Sequence, residues 1–217
     1  MGLKGDVYSL TVRDISTDNG SQESTYIFDR DGYITSSRTV NTRLDNVIET
    51  THRYNDRKLL CEKVSITKNE YFTSKSIKKL HEEREKALIY HAYDRSEEST
   101  DTTPYETIII KKVGNNTEVN KTSDYGMRKE VFNRKGLIIR TEYSYQKEDS
   151  SKTTLISDIK YKGMNPFKQT TIINNTTHNE FTFDYLESDN KDNWIKANIY
   201  RNDTLTQSIE RHITYLN

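Results

Sequence analysis

Hydrophobic residues along this chain recur at every second position, in many short runs. Tyr8, Leu10 and Val12 alternate with polar neighbours near the start, and Phe181, Phe183 and Tyr185 are separated by Thr182 and Asp184. Leu137, Ile139, Thr141, Tyr143 and Tyr145 line one side of another run. Ile195, Ala197 and Ile199 oppose Trp194, Lys196 and Asn198, and Ile209, Arg211, Ile213 and Tyr215 carry the period to the end. A period of two marks a β-strand, because successive side chains point to opposite faces. Asp31-Gly32, Gly114-Asn115, Lys135-Gly136 and Asn202-Asp203 fall between the runs as tight turns. Strands joined by turns this short pair antiparallel. Pro104 and Pro166 are expected in loops, leaving the strands their ladder donors.

One phrase returns along the chain: an aromatic residue, Asp or Asn, a short polar turn, then a hydrophobic strand. It stands as Phe28-Asp29-Arg30-Asp31-Gly32-Tyr33, as Tyr54-Asn55-Asp56-Arg57-Lys58-Leu59 and as Phe132-Asn133-Arg134-Lys135-Gly136-Leu137. Weaker copies begin at Tyr93-Asp94 and Tyr161-Lys162-Gly163, and a degenerate one runs from Tyr185 to Trp194. A repeated hairpin unit fixes architecture and says little about chemistry. The reading is a single all-β domain over 1–217, an antiparallel meander of repeated hairpins. The step from Tyr54 to Tyr93 is longer than the others, which places an insertion at 68–90. Within it Ile77, Leu80, Arg84, Ala87 and Leu88 have the spacing of a helical stripe. One short helix over 76–90 is therefore one expectation, and a long strand ending at Tyr93 is the other.

At these residues the chain resembles the YD-repeat, or RHS-like, superfamily, and more narrowly small YD-repeat proteins of Bacteroidetes type. The Leu3-Lys4-Gly5-Asp6-Val7 opening is similar to that group's, as are Asn193-Trp194, Tyr200-Arg201-Asn202-Asp203 and the closing Glu210-Arg211-His212-Ile213-Thr214-Tyr215. The chain departs from the pattern where glycine is missing after Tyr54-Asn55 and Tyr93-Asp94, and where Asp203 stands in the place the last hairpin usually gives to glycine. The resemblance implies an open, curved or partly rolled sheet, since about six units cannot close a shell. It brings no catalytic residue. The superfamily's link to polymorphic toxins implies an immunity-type protein that neutralises a cognate bacterial toxin.

Composition narrows the classes. The hydrophobic fraction of 32% is low for a globular chain, but 15 Tyr, 6 Phe and zero net charge argue for a folded sheet with a thin core. Lys+Arg and Asp+Glu, 33 each, are interspersed, so nucleic acid is not an expected partner. No apolar run is long enough for a transmembrane helix, and Met1-Gly2-Leu3-Lys4-Gly5 is not a signal peptide. Localisation is left between the bacterial envelope or periplasm, with a leader removed, and the cytoplasm. One cysteine, Cys61, excludes a disulfide framework and reads as a small packed side chain. The segment His81-Glu82-Glu83-Arg84-Glu85 lacks the second histidine of a zinc-protease helix. Asp29 and Asp31 lack the remaining ligands of a calcium loop, and their phase with Asn55 and Asn133 fits turn capping. No catalytic, metal or cofactor site is expected. The candidate partner-binding residues are Tyr143, Tyr145, Trp194 and Tyr200, because exposed aromatics carry many interface hot spots; simple cross-strand packing is the other reading of the same side chains.

The functional expectation is therefore a non-catalytic, protein-binding β-sheet module of immunity type. The alternative is an envelope-associated or secreted accessory protein that binds glycan or surface polymer. The third reading is a hydrolase with a dispersed acid pair. Open sheet edges would also permit self-association, so the oligomeric state is undetermined.

Overall fold

The computed structural model describes residues 3–16, 20–85, 87–95, 103–146 and 152–216. The Met1-Gly2 start, Lys86 and the continuation of the Tyr93-Asp94 phrase lie outside the described residues. The first strands are β1 (Val7–Ser16), β2 (Gly20–Phe28), β3 (Ile34–Asn41), β4 (Asn46–Tyr54) and β5 (Leu60–Lys68). They are followed by β6 (Thr73–Arg84), β7 (Ala87–Arg95), β8 (Glu106–Val113), β9 (Asn116–Ser123) and β10 (Gly126–Phe132). The last are β11 (Ile138–Gln146), β12 (Lys152–Lys162), β13 (Asn165–Ile173), β14 (Thr176–Ser188), β15 (Trp194–Arg201) and β16 (Thr204–Tyr215).

Each strand is hydrogen-bonded to its neighbours in the chain, and β1 pairs with β16. The order is thus a closed barrel of sixteen antiparallel strands among the described residues. This corrects the open, curved or partly rolled sheet expected from the YD-repeat resemblance, and with it the membership and the toxin-immunity role that hung on it. The physical reason is the fit of the two chain-terminal strands: Leu10 faces Ile213, Val12 faces Arg211 and Asp14 faces Ile209. A closed ladder leaves no unpaired edge for self-association. Of the two expectations for 76–90, the short helix is corrected outright and the long strand ending at Tyr93 is corrected to a pair of strands. β6 and β7 occupy that stretch, so Ile77 and Leu80 belong to one strand and Leu88 to the next. The apparent helical stripe came from reading across a hairpin. Pro166 lies inside β13, opposite Tyr161 and beside a register shift, where a missing donor is tolerated.

The described residues divide into two compact units, one holding those within 3–77, 95 and 183–216, the other those within 78–94 and 103–182. In the first, directly opposed residues define two faces. One carries Leu10, Tyr26, Ser37, Thr50 and Ser65 in a single row across β1 to β5. Leu10 is fully buried at 0% exposure, and Ser24 and Thr50 are buried with it. Hydroxyls here satisfy one another in cross-strand pairs, Ser24 with Thr39 at 3.0 Å and Thr50 with Ser65 at 3.0 Å. The other face is exposed and carries opposed charges: Lys196–Glu210 at 3.7 Å, Arg13–Glu23 at 3.8 Å, Arg38–Glu49 at 3.9 Å and Lys68–Glu49 at 3.6 Å. Glu210 stands directly across from Arg13, so the alternation of sign runs on through β16 and β1.

The second unit repeats the plan with different residues. Tyr90, Ile108, Ser157 and Thr171 are buried, and Ser157 bonds Thr171 at 3.3 Å. Glu130 is buried between two cations, Lys121 at 3.4 Å and Arg128 at 2.7 Å. On the opposite face Lys129 meets Glu118 at 2.8 Å, and Arg140 meets both Glu142 at 2.8 Å and Asp158 at 3.3 Å.

Candidate functional site

Four hairpin turns share one construction. The Asp29 carboxylate Oδ1 accepts the N–H groups of Asp31 at 3.0 Å and Tyr33 at 2.9 Å. The Asn55 side-chain oxygen does the same for Arg57 and Leu59, Asn133 for Lys135 and Leu137, and Asp189 for Lys191 and Asn193. The fourth residue of each turn is left-handed, with φ of 82° at Gly32, 60° at Lys58, 75° at Gly136 and 58° at Asp192. The acids and amides of the repeated phrase are therefore turn chemistry, as their phase suggested. Tyrosines of the phrase also tie one hairpin to the next. The Tyr54 hydroxyl donates to the Ile34 carbonyl at 3.0 Å, and Tyr161 to that of Ile138 at 2.9 Å.

The last of these turns fastens the N-terminal segment and the end of β16. Asn193 is buried; its side chain accepts the Lys4 N–H at 2.6 Å and donates to the Lys4 carbonyl at 2.9 Å and the Tyr215 hydroxyl at 2.8 Å. Tyr215 in turn donates to Asp189, and the Lys191 ammonium lies 3.7 Å from the Tyr215 ring centre. Burial acts to raise the Asp189 carboxyl, but hydrogen bonds from Tyr215, Asn193 and Lys191 outweigh it and hold the group below the usual carboxylate range.

The fastened segment and the Asp29 turn border a partly open cavity of about 490 Å³. Leu3, Val7, Phe28, Ile34 and Leu216 give it apolar surface, and Asp6, Asp29, Arg30 and Asp31 give it polar groups. Two of these carboxylates are already engaged. Asp29 holds its own turn, and Asp31 takes the Lys58 ammonium at 2.6 Å. They serve as fixed acceptors, which suits binding better than proton transfer.

The four candidate partner-binding residues are divided between the units. Tyr143 and Tyr145 are brought together on β11, ring centres 5.4 Å apart. They stand opposite Leu155 and Thr153, on the face that buries Ser157. Trp194 is packed against Tyr185 at 5.3 Å and under the Arg211 guanidinium, whose Cζ is 3.3 Å from the ring centre. Tyr200 is half-buried on β15, beside a register shift and opposite Leu205. Arg211 escaped the sequence reading, although a signal existed: it is the charged member of the Ile209, Ile213, Tyr215 stripe. Burial lowers its pKa to about 10.

The scattered histidines and Cys61 form no cluster of three or more metal-ligating side chains among the described residues. His81 and His91 stack at 4.1 Å, and burial followed by the neighbouring His81 lowers the His91 pKa. The Cys61 thiol donates to the Arg53 carbonyl at 3.1 Å.

No family model and no curated protein matches the chain. Among solved structures it is similar to a porin-like protein from Bacteroides vulgatus ATCC 8482, with 15% identity, a TM-score of 0.47 and coverage of 97% of this chain and 99% of that one. It is also similar to a porin-like protein from Bacteroides uniformis ATCC 8492, with 9% identity, a TM-score of 0.40 and 96% of each chain covered. Neither likeness is close enough to carry a function across.

Proposed function

We propose that this barrel is an envelope-associated or secreted binding protein whose cavity at the Asp29 turn takes a segment of glycan or surface polymer. The observation that carries the reading is the make-up of that cavity: an apolar wall of Phe28, Ile34 and Leu216 beside immobilised carboxylates and the Arg30 guanidinium. Sugars present the matching pair of surfaces, C–H faces and hydroxyl edges, and small-ligand sites combine apolar walls with a few placed polar groups. The exposed face of the first unit supports contact with water and not with lipid. A charge turned toward lipid costs roughly 2–4 kcal/mol at the bilayer midplane for Arg or Lys, and Arg13, Arg38, Lys68 and Lys196 all stand on that face.

An array of neutral and acidic glycans probed with the purified chain should return binders. Leu3→Trp, which narrows the cavity, should weaken them at least tenfold in calorimetric titration, and Arg30→Ala should weaken them less. A blank array, or binders indifferent to Leu3→Trp, removes the reading. A chain that stays in aqueous solution only with detergent removes the assignment of its exposed face to water.

A further inference from the structure

Arg211 lies on the buried face of the first unit, directly across from Val12 and one place along from the Leu10–Ile213 pair. Its guanidinium stacks on Trp194, and its Nε is out of water with no hydrogen-bond acceptor. No carboxylate forms an ion pair with it among the described residues. By contrast Arg13, Arg38, Lys68 and Lys196, on the other face of this unit, each have a carboxylate partner at the surface. A cation partly withdrawn from water without a counter-charge is disfavoured, and stacking on an indole offsets part of that penalty. The same face holds a second orphan, the Asp14 carboxylate, whose Oδ1 is buried and unpaired while Gln207 donates to Oδ2. Asp14 and Arg211 stand on neighbouring strands, diagonal to one another. A buried donor such as the Arg211 Nε is seldom left without an acceptor, and a bound anion supplies one; the Asp14 oxygen needs a donor and is not part of that site.

We propose that Arg211, held flat on Trp194, is a binding site for an oxyanion, the carboxylate or phosphate group of a small ligand. The planar fork of a guanidinium fits such groups with two parallel hydrogen bonds. Trp194 fixes the plane of the fork, and Tyr185, packed on Trp194, fixes the indole. The site shares no residue with the lining of the cavity at the Asp29 turn, so the two can fail independently.

The chain contains a single tryptophan, so its fluorescence reports on this site alone. Sodium phosphate, sodium sulfate and sodium glucuronate are titrated into the purified chain at constant ionic strength, with glucose as the uncharged control. At least one anion should change the Trp194 emission saturably, and glucose should not. Phosphate acting alone points to a phosphorylated ligand, and glucuronate alone to a carboxylate. Arg211→Met, which keeps the stem and removes the charge, should abolish the response; Leu3→Trp is avoided here because it adds a second indole, and Arg30→Ala should leave the response intact. Should Arg211→Met fold poorly, Arg211→Lys retains charge without the fork and should weaken binding at least fivefold. No saturable change with any of the three anions overturns the proposal, as does an unaltered affinity in Arg211→Lys.

Discussion

Between Glu49 and Thr50, neighbours on β4, the wall passes from a face where charges pair in water to one where hydroxyls pair away from it. On the exposed side Glu49 is approached by Arg38 and Lys68, at 3.9 and 3.6 Å. On the buried side Thr50 has Ser65 at 3.0 Å and little solvent. Among the described residues only Leu10 is both large and completely buried. A barrel with a thin apolar core can still be specified, because small hydroxyls satisfy one another across strands at little cost in volume. The difference between the faces is then one of penalty for disruption: high where no water can replace a lost partner, low where water is at hand.

The widest gap should open at Leu10. Leu10→Ala removes a large side chain with no exposure and should cost about 2–5 kcal/mol in denaturant unfolding. A loss under about 1 kcal/mol would mean the face collapses freely and the contrast is weaker than drawn. Thr50→Val should come next, at about 1–3 kcal/mol, by leaving the Ser65 hydroxyl without its partner. Adding Ser65→Ala to it should recover much of that loss, and a strictly additive double variant would show that the pair is not coupled.

An acid limb separates the rim from both faces. The Asp189 carboxyl is held below its unfolded value of about 3.9, so the stability it contributes is present above that value and is lost as pH falls through the folded one. Melting temperatures across the acid range should fall less steeply in Asp189→Asn than in the parent chain, and equal slopes would remove Asp189 from the account. The smallest effect belongs to the exposed face. Arg38→Ala should cost less than about 1 kcal/mol and should cost still less at high salt.

The strands were legible because their chemistry is local. Phe181, Phe183 and Tyr185 in β14 and the run from Ile139 to Tyr145 in β11 alternate as strands do. Turns were legible for the same reason, down to Asn202-Asp203, whose φ values of 49° and 66° give the left-handed pair that a two-residue hairpin needs even without glycine. Closure was not legible, because the register of β1 on β16 is set by residues at opposite ends of the chain. The faces were only half legible. Val64 and Ile66 alternate as a buried pair would, yet they oppose Thr51 and Glu49 on the exposed face, while Ser65 between them turns inward. Hydrophobic alternation alone therefore names the period correctly and the side wrongly. At the candidate sites the same limit applied: Trp194 reads in sequence as a candidate partner-binding residue, and only its packing reveals Arg211 lying over it.

Pairing of β1 with β16 also imposes an order of events on folding. Every other ladder joins neighbours in the chain, so its loop closes at small entropic cost and early. The ladder from Val7–Tyr215 to Ser16–Gln207 joins the most distant strands and must form late. Until it does, Leu10 lacks Ile213 and two strand edges stand open to other chains. Refolding yield should thus depend on protein concentration during that interval, while the finished barrel offers no edge for the same reaction.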